Sequence, residues 1–237
     1  MLEAESASEV CASKRGSARE GGDVREKDVR GDGGDGPAPT PAAPRTPLRV
    51  ALVNAGARGA RSAADHLLAD LAEALPVYAR MAGVEPPEVT KAPRPGQGAV
   101  VLGCESRADE PPACLIDLLE GSGGGLAPGM RVYALSVTGL YEPERALPSL
   151  DAIGQACSAS GARWMGGVAV GGGGLVLPTA GTPRMGIWRR QRSEAVDRLI
   201  MAILSGAEVG VILARPPVPR WGYRLARRIG TGPEATA

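Results

Sequence analysis

The sequence predicts an α/β domain in which a parallel sheet carries helices on both faces. Short apolar runs of strand length alternate along the chain with longer stretches of helical periodicity. The apolar runs are continuous, as in strands that are buried on both faces of a parallel sheet. The connections between them are long enough for crossover helices.

The predicted elements follow one another in a regular order. The first helix has Ser62 as a good N-cap. Pro111 and Pro112 suit the first turn of a second helix, Gly206 closes a late one as a C-cap residue, and a last basic helix begins near Arg220. Residues 209–213 are either an edge strand or the end of the preceding helix. The predicted strands are 48–55, 88–91, 98–104, 130–138 and 164–170, and the predicted helix faces are Ala64, Leu67, Leu68, Leu71 and Leu75; Leu147, Leu150, Ile153 and Cys157; and Val196, Leu199, Ile200, Ile203 and Leu204.

Composition separates an N-terminal arm from the domain. Residues 1–47 are rich in charge, Gly, Pro, Ala and Ser and nearly free of large apolar side chains, so we expect a disordered arm. Residues 48–230 form the predicted domain, and 231–237 a flexible tail. The chain has no apolar signal segment and no run of about 18 apolar residues, so we expect a cytoplasmic protein without membrane contact.

Charge and cysteine spacing exclude several classes of partner. The net charge is +1, too little to indicate nucleic-acid binding. Arginines are concentrated in residues 184–228, where they form either a solvated helix face, the favoured interpretation, or a basic face for an anionic ligand or partner. The four cysteines show no CxxC spacing, so no disulfide framework and no metal site is indicated.

The loops after the strands are the expected ligand sites, because open parallel sheets bind ligands beyond the carboxyl ends of their strands. The first of these loops ends at the first helix, whose N-terminal amides suit an anion. Ser62 adds a hydroxyl there, and Arg58 and Arg61 add charge. The loop matches neither GxGxxG nor a P-loop, and a tight exposed turn explains it about as well.

No residue is assigned a catalytic role. His66, the only histidine, lies within the first helix, where we expect a structural role, and no GxSxG sequence occurs. Glu142 and Glu144 fall at a helix start, where acids favour the dipole. Cys104 is expected to be a small core residue, the alternative being a thiol that faces a ligand. Such a chain has the character of a cofactor binder.

Three stretches carry a resemblance to a known family. They are LRVALVNAGARGARSAADHLL, MRVYALSVTGLYEPERALPSLDAIGQACSASGARWMGGVAVGGGGLV and RRQRSEAVDRLIMAILSGAEVGVILARPPVPRWGYRLA. Together they resemble the flavodoxin-like NAD(P)H-dependent FMN reductases over most of 47–228. The resemblance implies a three-layer flavodoxin-like fold with a five-stranded parallel sheet of order 2-1-3-4-5 and FMN at its carboxyl edge.

The resemblance also implies which residues hold the flavin. The phosphate lies on the first loop, at Gly56, Arg58, Arg61 and Ser62, although the family's hydroxyl at the position of Gly56 is missing. Residues 104–120 lack the aromatic that the family places beside the ring. The positions assigned to the ring are Thr138 and Gly139 through their backbone, Tyr141 beside it, and Gly171 and Gly172, whose glycine run leaves the edge free for a flat ring. The alternative role for Tyr141 is packing at the start of a helix.

Two functions follow from this resemblance. The first is an FMN-binding oxidoreductase that takes hydride from NAD(P)H, with the C-terminal arginines near the NAD(P)H phosphates, and passes electrons to an unknown acceptor. A homodimer is expected by family likeness. The alternative is a non-enzymatic flavodoxin-like scaffold that has lost FMN and serves in protein interaction through its basic C-terminal region or its arm.

Overall fold

The computed structural model describes residues 47–56, 62–93, 97–106, 110–120 and 126–230, with side chains up to residue 225. The predicted disordered arm, apart from Pro47, and the predicted tail lie outside these residues. No helix within the described ranges is long and apolar enough to cross a membrane. The strands are β1 Arg49–Asn54, β2 Glu88–Thr90, β3 Ala99–Ser106, β4 Arg131–Thr138, β5 Arg163–Val170 and β6 Gly210–Ala214, and the helices are α1 Ala63–Met81, α2 Ala113–Glu120, α3 Leu147–Ser160, α4 Arg190–Ser205 and α5 Arg220–Gly230.

The strands form one parallel sheet of order β2-β1-β3-β4-β5-β6. The predicted α/β class and parallel sheet are confirmed, but the predicted count of five strands is wrong. A sixth strand pairs with Gly166–Val170 of β5 at the edge of the sheet. The sequence predicted either an edge strand or the end of a helix for this segment. It is a strand because Gly206, with φ 68°, ends α4 in the left-handed conformation.

Each face of the sheet builds its own apolar core. Val50 and Leu52 of β1 belong to the core that α1 and α4 cover, and Ala51 and Val53 belong to the core under α2 and α3. Successive strand residues point to opposite faces, so burial on both faces explains why the apolar runs are continuous. The helix faces predicted for α1 and α4 lie in the first core and that of α3 in the second, so the sandwich has three layers.

Strand β5 contains a bulge that depends on glycine. Val132 of β4 pairs with Trp164, whereas Tyr133 pairs with Gly166, so one residue of β5 is extra. Gly166 has φ +103°, and a Cβ there would lie 2.1 Å from the carbonyl oxygen of Gly210 on β6. At the next position a Cβ on Gly167 would lie 2.6 Å from the carbonyl oxygen of Ala134 on β4 and 3.2 Å from Leu150 of α3, so this glycine allows both β4 and α3 to approach closely.

We therefore expect Gly166→Ala to destabilise the fold by about 3 kcal/mol, because the new methyl group combines backbone strain with a clash against β6. Gly181→Ala is the matched control, since the space around that glycine is open. Urea unfolding followed by circular dichroism measures both variants. Equal free energies of unfolding for the two would contradict the role given to the bulge.

Candidate functional site

The candidate site lies at the carboxyl edge of the sheet. Asn54 at the end of β1 pairs with Gly103, Ser106 at the end of β3 pairs with Thr138, and Val137 pairs with Val170. The strand order reverses between β1 and β3, because the chain leaves β1 toward β2 on one side and reaches β3 on the other. The structure places Gly56, Ser62, Thr138, Gly139, Tyr141, Gly171 and Gly172 along this edge, whereas Arg58 and Arg61 lie outside the described residues.

The start of α1 is fixed to the end of β1 by polar side chains. Ser62 is the N-cap, as predicted, and its Oγ accepts the backbone N–H of Asp65 at 3.0 Å. The amide of Asn54 donates to the carboxylate of Asp65, and the N–H of Gly56 donates to Asn54 Oδ1 at 2.7 Å. These contacts hold both described ends of the first loop against the strand end.

A carboxylate from β3 occupies the anion position of this helix start. Glu105 Oε1 accepts the N–H of Ala63 at 2.5 Å and lies 3.4 Å from the N–H of Ala64. Free N–H groups and the positive dipole end of α1 make this place favourable for an anion. The family resemblance predicts a phosphate at this position, and no pattern in the sequence indicates Glu105 there, although the residue follows Cys104 at the end of a strand where a ligand is expected.

The loop after β4 presents open backbone at one residue. Thr138 is buried, and its Oγ1 accepts the N–H of Leu140 at 3.3 Å. Gly139 is exposed, and within the described ranges no atom beyond its chain neighbours lies within 4 Å of the point where its Cβ would stand. The hydroxyl of Tyr223 donates to the Gly139 carbonyl at 2.6 Å, and its ring centroid lies 5.8 Å from that of Tyr141. Helix α5 thereby holds this loop from one side.

Gly171 and Gly172 are covered by protein. A Cβ on Gly171 would lie 2.3 Å from the carbonyl oxygen of Tyr141, and one on Gly172 would lie 2.5 Å from Pro216. Gly172 also has φ +69°, and its N–H donates to the Leu140 carbonyl at 2.6 Å. The space predicted for a flat ring over these two glycines is therefore filled by neighbouring chain. Open space on this side of the edge lies at Gly139.

The two glutamates predicted at a helix start lie there and form ion pairs. Glu142 precedes a 3-10 turn, Pro143–Ala146, and pairs with Arg220 at 2.6 Å. Glu144 pairs with Arg215 at 2.7 Å, and the hydrogen bond from Arg215 lowers the pKa of this carboxyl group. Both pairs lie at the surface and connect the loop after β4 to the C-terminal elements.

The surroundings of His66 and Cys104 agree with the structural roles predicted for these two residues. His66 is half-buried on α1, with Nε2 3.8 Å from Asp70 Oδ1. Cys104 is fully buried, as predicted, and its Sγ lies 3.5 Å from Ser136 Oγ. Burial raises the pKa of the Cys104 thiol to about 11, so it stays protonated at neutral pH.

Two arginines of the basic C-terminal region are buried, which corrects the solvated-face interpretation for them. Arg189 is 5 % exposed and Arg192 is 6 % exposed, whereas Arg190 lies at the surface and pairs with Glu194 at 2.8 Å. The sequence held a signal for this. Arg192 precedes Val196 and Leu199 at the spacing of one helix face, and both of these are core residues.

This chain matches no protein-family model and no curated protein.

We expect Tyr223→Phe to lower stability by about 1 kcal/mol, because it removes the hydroxyl that donates to Gly139. Amide hydrogen exchange at 139–142 should become faster, since α5 no longer holds this loop through a hydrogen bond. The control is Tyr141→Phe, which keeps the ring contact between the two tyrosines. Exchange that is unchanged in Tyr223→Phe, or equally faster in both variants, would remove the hydroxyl from this role.

Proposed function

We propose that this protein is a flavodoxin-like FMN-binding protein with NAD(P)H-dependent oxidoreductase activity. One observation carries the proposal: a pair of helix amides holds an anionic group at the β1/β3 switch point of a parallel sheet. Ligands of open α/β sheets bind at such points, and the flavodoxin-like order places FMN at this one. The sixth strand lies at the far edge, beyond β5.

The FMN phosphate takes the position that Glu105 holds. The N–H groups of Ala63 and Ala64 and the Ser62 hydroxyl lie at the helix start, and Arg58 and Arg61 follow Gly56 in the same loop. Glu105 is an exposed side chain at the end of a strand, so it can rotate away without disturbing the core. A carboxylate beside the phosphate would repel it, and binding therefore includes this displacement.

The flavin ring lies over the end of β4 in this proposal. Gly139 lets the ring approach the backbone, Thr138 fixes the loop below it, and Tyr141 lies in the same loop. Bound FMN would accept hydride from NAD(P)H and pass electrons on, and the chain would bind and orient the cofactor. No side chain is assigned a proton-transfer role.

A second candidate, an FMN-free scaffold for protein interaction, is favoured by a specific observation. Glu105 satisfies the helix amides from within the chain, Tyr141 and Pro143 cover Gly171, and Pro216 and Tyr223 cover Gly172. The chain's own groups thus fill the places assigned to the phosphate and to the ring beside these two glycines. Fold alone does not decide between the two functions.

The absorption spectrum of the purified protein, followed by titration with FMN, tests the proposal. We expect flavin bands, and we expect Glu105→Gln to tighten FMN binding about fivefold, since removing one charge near the phosphate changes the free energy of binding by about 1 kcal/mol. Glu73→Gln is the matched control, because Glu73 is exposed on α1. Joint replacement of Arg58 and Ser62 by Ala should weaken binding.

Two results separate the candidates. If the wild-type protein and Glu105→Gln are both colourless and both fail to bind micromolar FMN, the scaffold function stands and the oxidoreductase function falls. If FMN binds but the affinity is unchanged when Arg58 and Ser62 are replaced, these two residues are removed from the phosphate site.

A further inference from the structure

A buried arginine near the other end of the same sheet edge lacks an anion of its own. Arg192, in the first turn of α4, is 6 % exposed, and its Nε has no hydrogen-bond partner within the described structure. Its Nη2 donates to Thr179 Oγ1 at 2.5 Å. A buried guanidinium is normally paired with a carboxylate. Among the described residues, no carboxylate lies within 4 Å of the Arg192 guanidinium.

Asp70, the acid whose charge acts on Arg192, is already engaged. Asp70 on α1 forms a salt bridge with Arg189, so two buried guanidiniums share one carboxylate and leave one positive charge in excess. Burial, and secondly the charge of Arg189, lower the pKa of Arg192 to about 10, while Asp70 acts in the opposite direction. Arg192 is therefore cationic at neutral pH, and an anion brought beside it would relieve the cost of burying its charge.

Arg192 lines a crevice that opens to solvent. The crevice has an empty volume of about 260 Å³ with the open solvent at its mouth included, but its cavity volume is only about 10 Å³, enough for one water-sized group. Its rim carries a second cation, Arg215, which also pairs with Glu144 at the surface, and the indole of Trp188, which is 45 % exposed. The other lining residues are Val170, Gly171, Gly172, Leu175, Gln191, Pro216 and Pro217.

We propose that this crevice is an anion site that binds the phosphate group of a nucleotide, with Arg192 as the buried cation, Arg215 as the outer cation and Trp188 as a platform for the base. One terminal phosphate oxygen enters the crevice beside Arg192, and the rest of the ligand stays at the rim. A guanidinium forms charge-assisted hydrogen bonds to phosphate oxygens, and an exposed indole stacks on a base. The site is independent of FMN binding at β1 and β3.

The test measures the binding of inorganic phosphate, adenosine 5′-monophosphate and adenosine to the full chain. Calorimetry gives the affinities, and the rise in Tm with each probe gives a second readout at constant ionic strength set by chloride. We expect the monophosphate to bind more tightly than phosphate, and adenosine to bind most weakly. Arg192→Gln should lower the affinity for both phosphate probes at least about tenfold.

Three further variants keep the test decisive whether or not Arg192→Gln folds well. Arg215→Gln changes an exposed side chain and should weaken both phosphate probes, and Trp188→Ala should weaken the monophosphate while leaving phosphate binding unchanged. Arg190→Gln is the matched control, because Arg190 lies two residues from Arg192, is exposed and pairs with Glu194. It should bind all probes as the wild-type protein does.

Several results would overturn the site. They are wild-type protein whose Tm does not rise with either phosphate probe, adenosine that binds as tightly as its monophosphate, phosphate binding that persists in a folded Arg192→Gln, and an equal loss in Arg190→Gln. In each case Arg192 would serve only to hold residue Thr179. Because FMN binding is read from the flavin spectrum, failure here leaves the proposed function untouched, and the reverse also holds.

Discussion

The half-buried carboxylate of Asp70 is the constraint on which one side of this molecule depends. Asp70 lies on α1 and binds Arg189, whose Nη1 also donates to the carbonyls of Ala180 at 2.7 Å and Thr182 at 3.0 Å. Arg184 donates to the backbone carbonyl of Asp70 at 3.0 Å. The long connection between β5 and α4 contains little regular structure, so these side chains satisfy carbonyls that a helix or sheet would otherwise satisfy. Without Asp70, two buried guanidiniums would lose their shared counter-charge.

The two ends of the sheet edge hold charges of opposite sign. At β1 and β3 the fold offers free N–H donors, and the chain supplies the anion itself through Glu105. Beyond β5 and β6 the fold buries a cation, Arg192, and the described chain supplies no anion for it. Both arrangements follow from helices that begin at this edge, since α1 and α4 bring their first turns to it.

The sequence predicted those parts of the fold that local patterns determine. The apolar runs and the α1 face are visible in the sequence because burial imposes a period on the chain. The sixth strand was left open because Val211, Ile212 and Leu213 suit a strand or a helix, and pairing with β5 decides between them. Glu105 was missed because its partner Ala63 lies 42 residues away, and no local spacing reports such a contact. Arg192 was detectable in principle, since it shares a helix face with Val196.

The position of Tyr223 in the last described helix has a consequence for how the protein is made. A ribosome delivers the chain from its N-terminus, so all six strands emerge before α5 does. During that interval the Gly139 carbonyl lacks the hydroxyl that donates to it, and Gly172 lacks the aromatic ring that lies near it in the finished protein. Gly139 and Gly172 therefore reach these contacts only after the last described helix has been made and has packed.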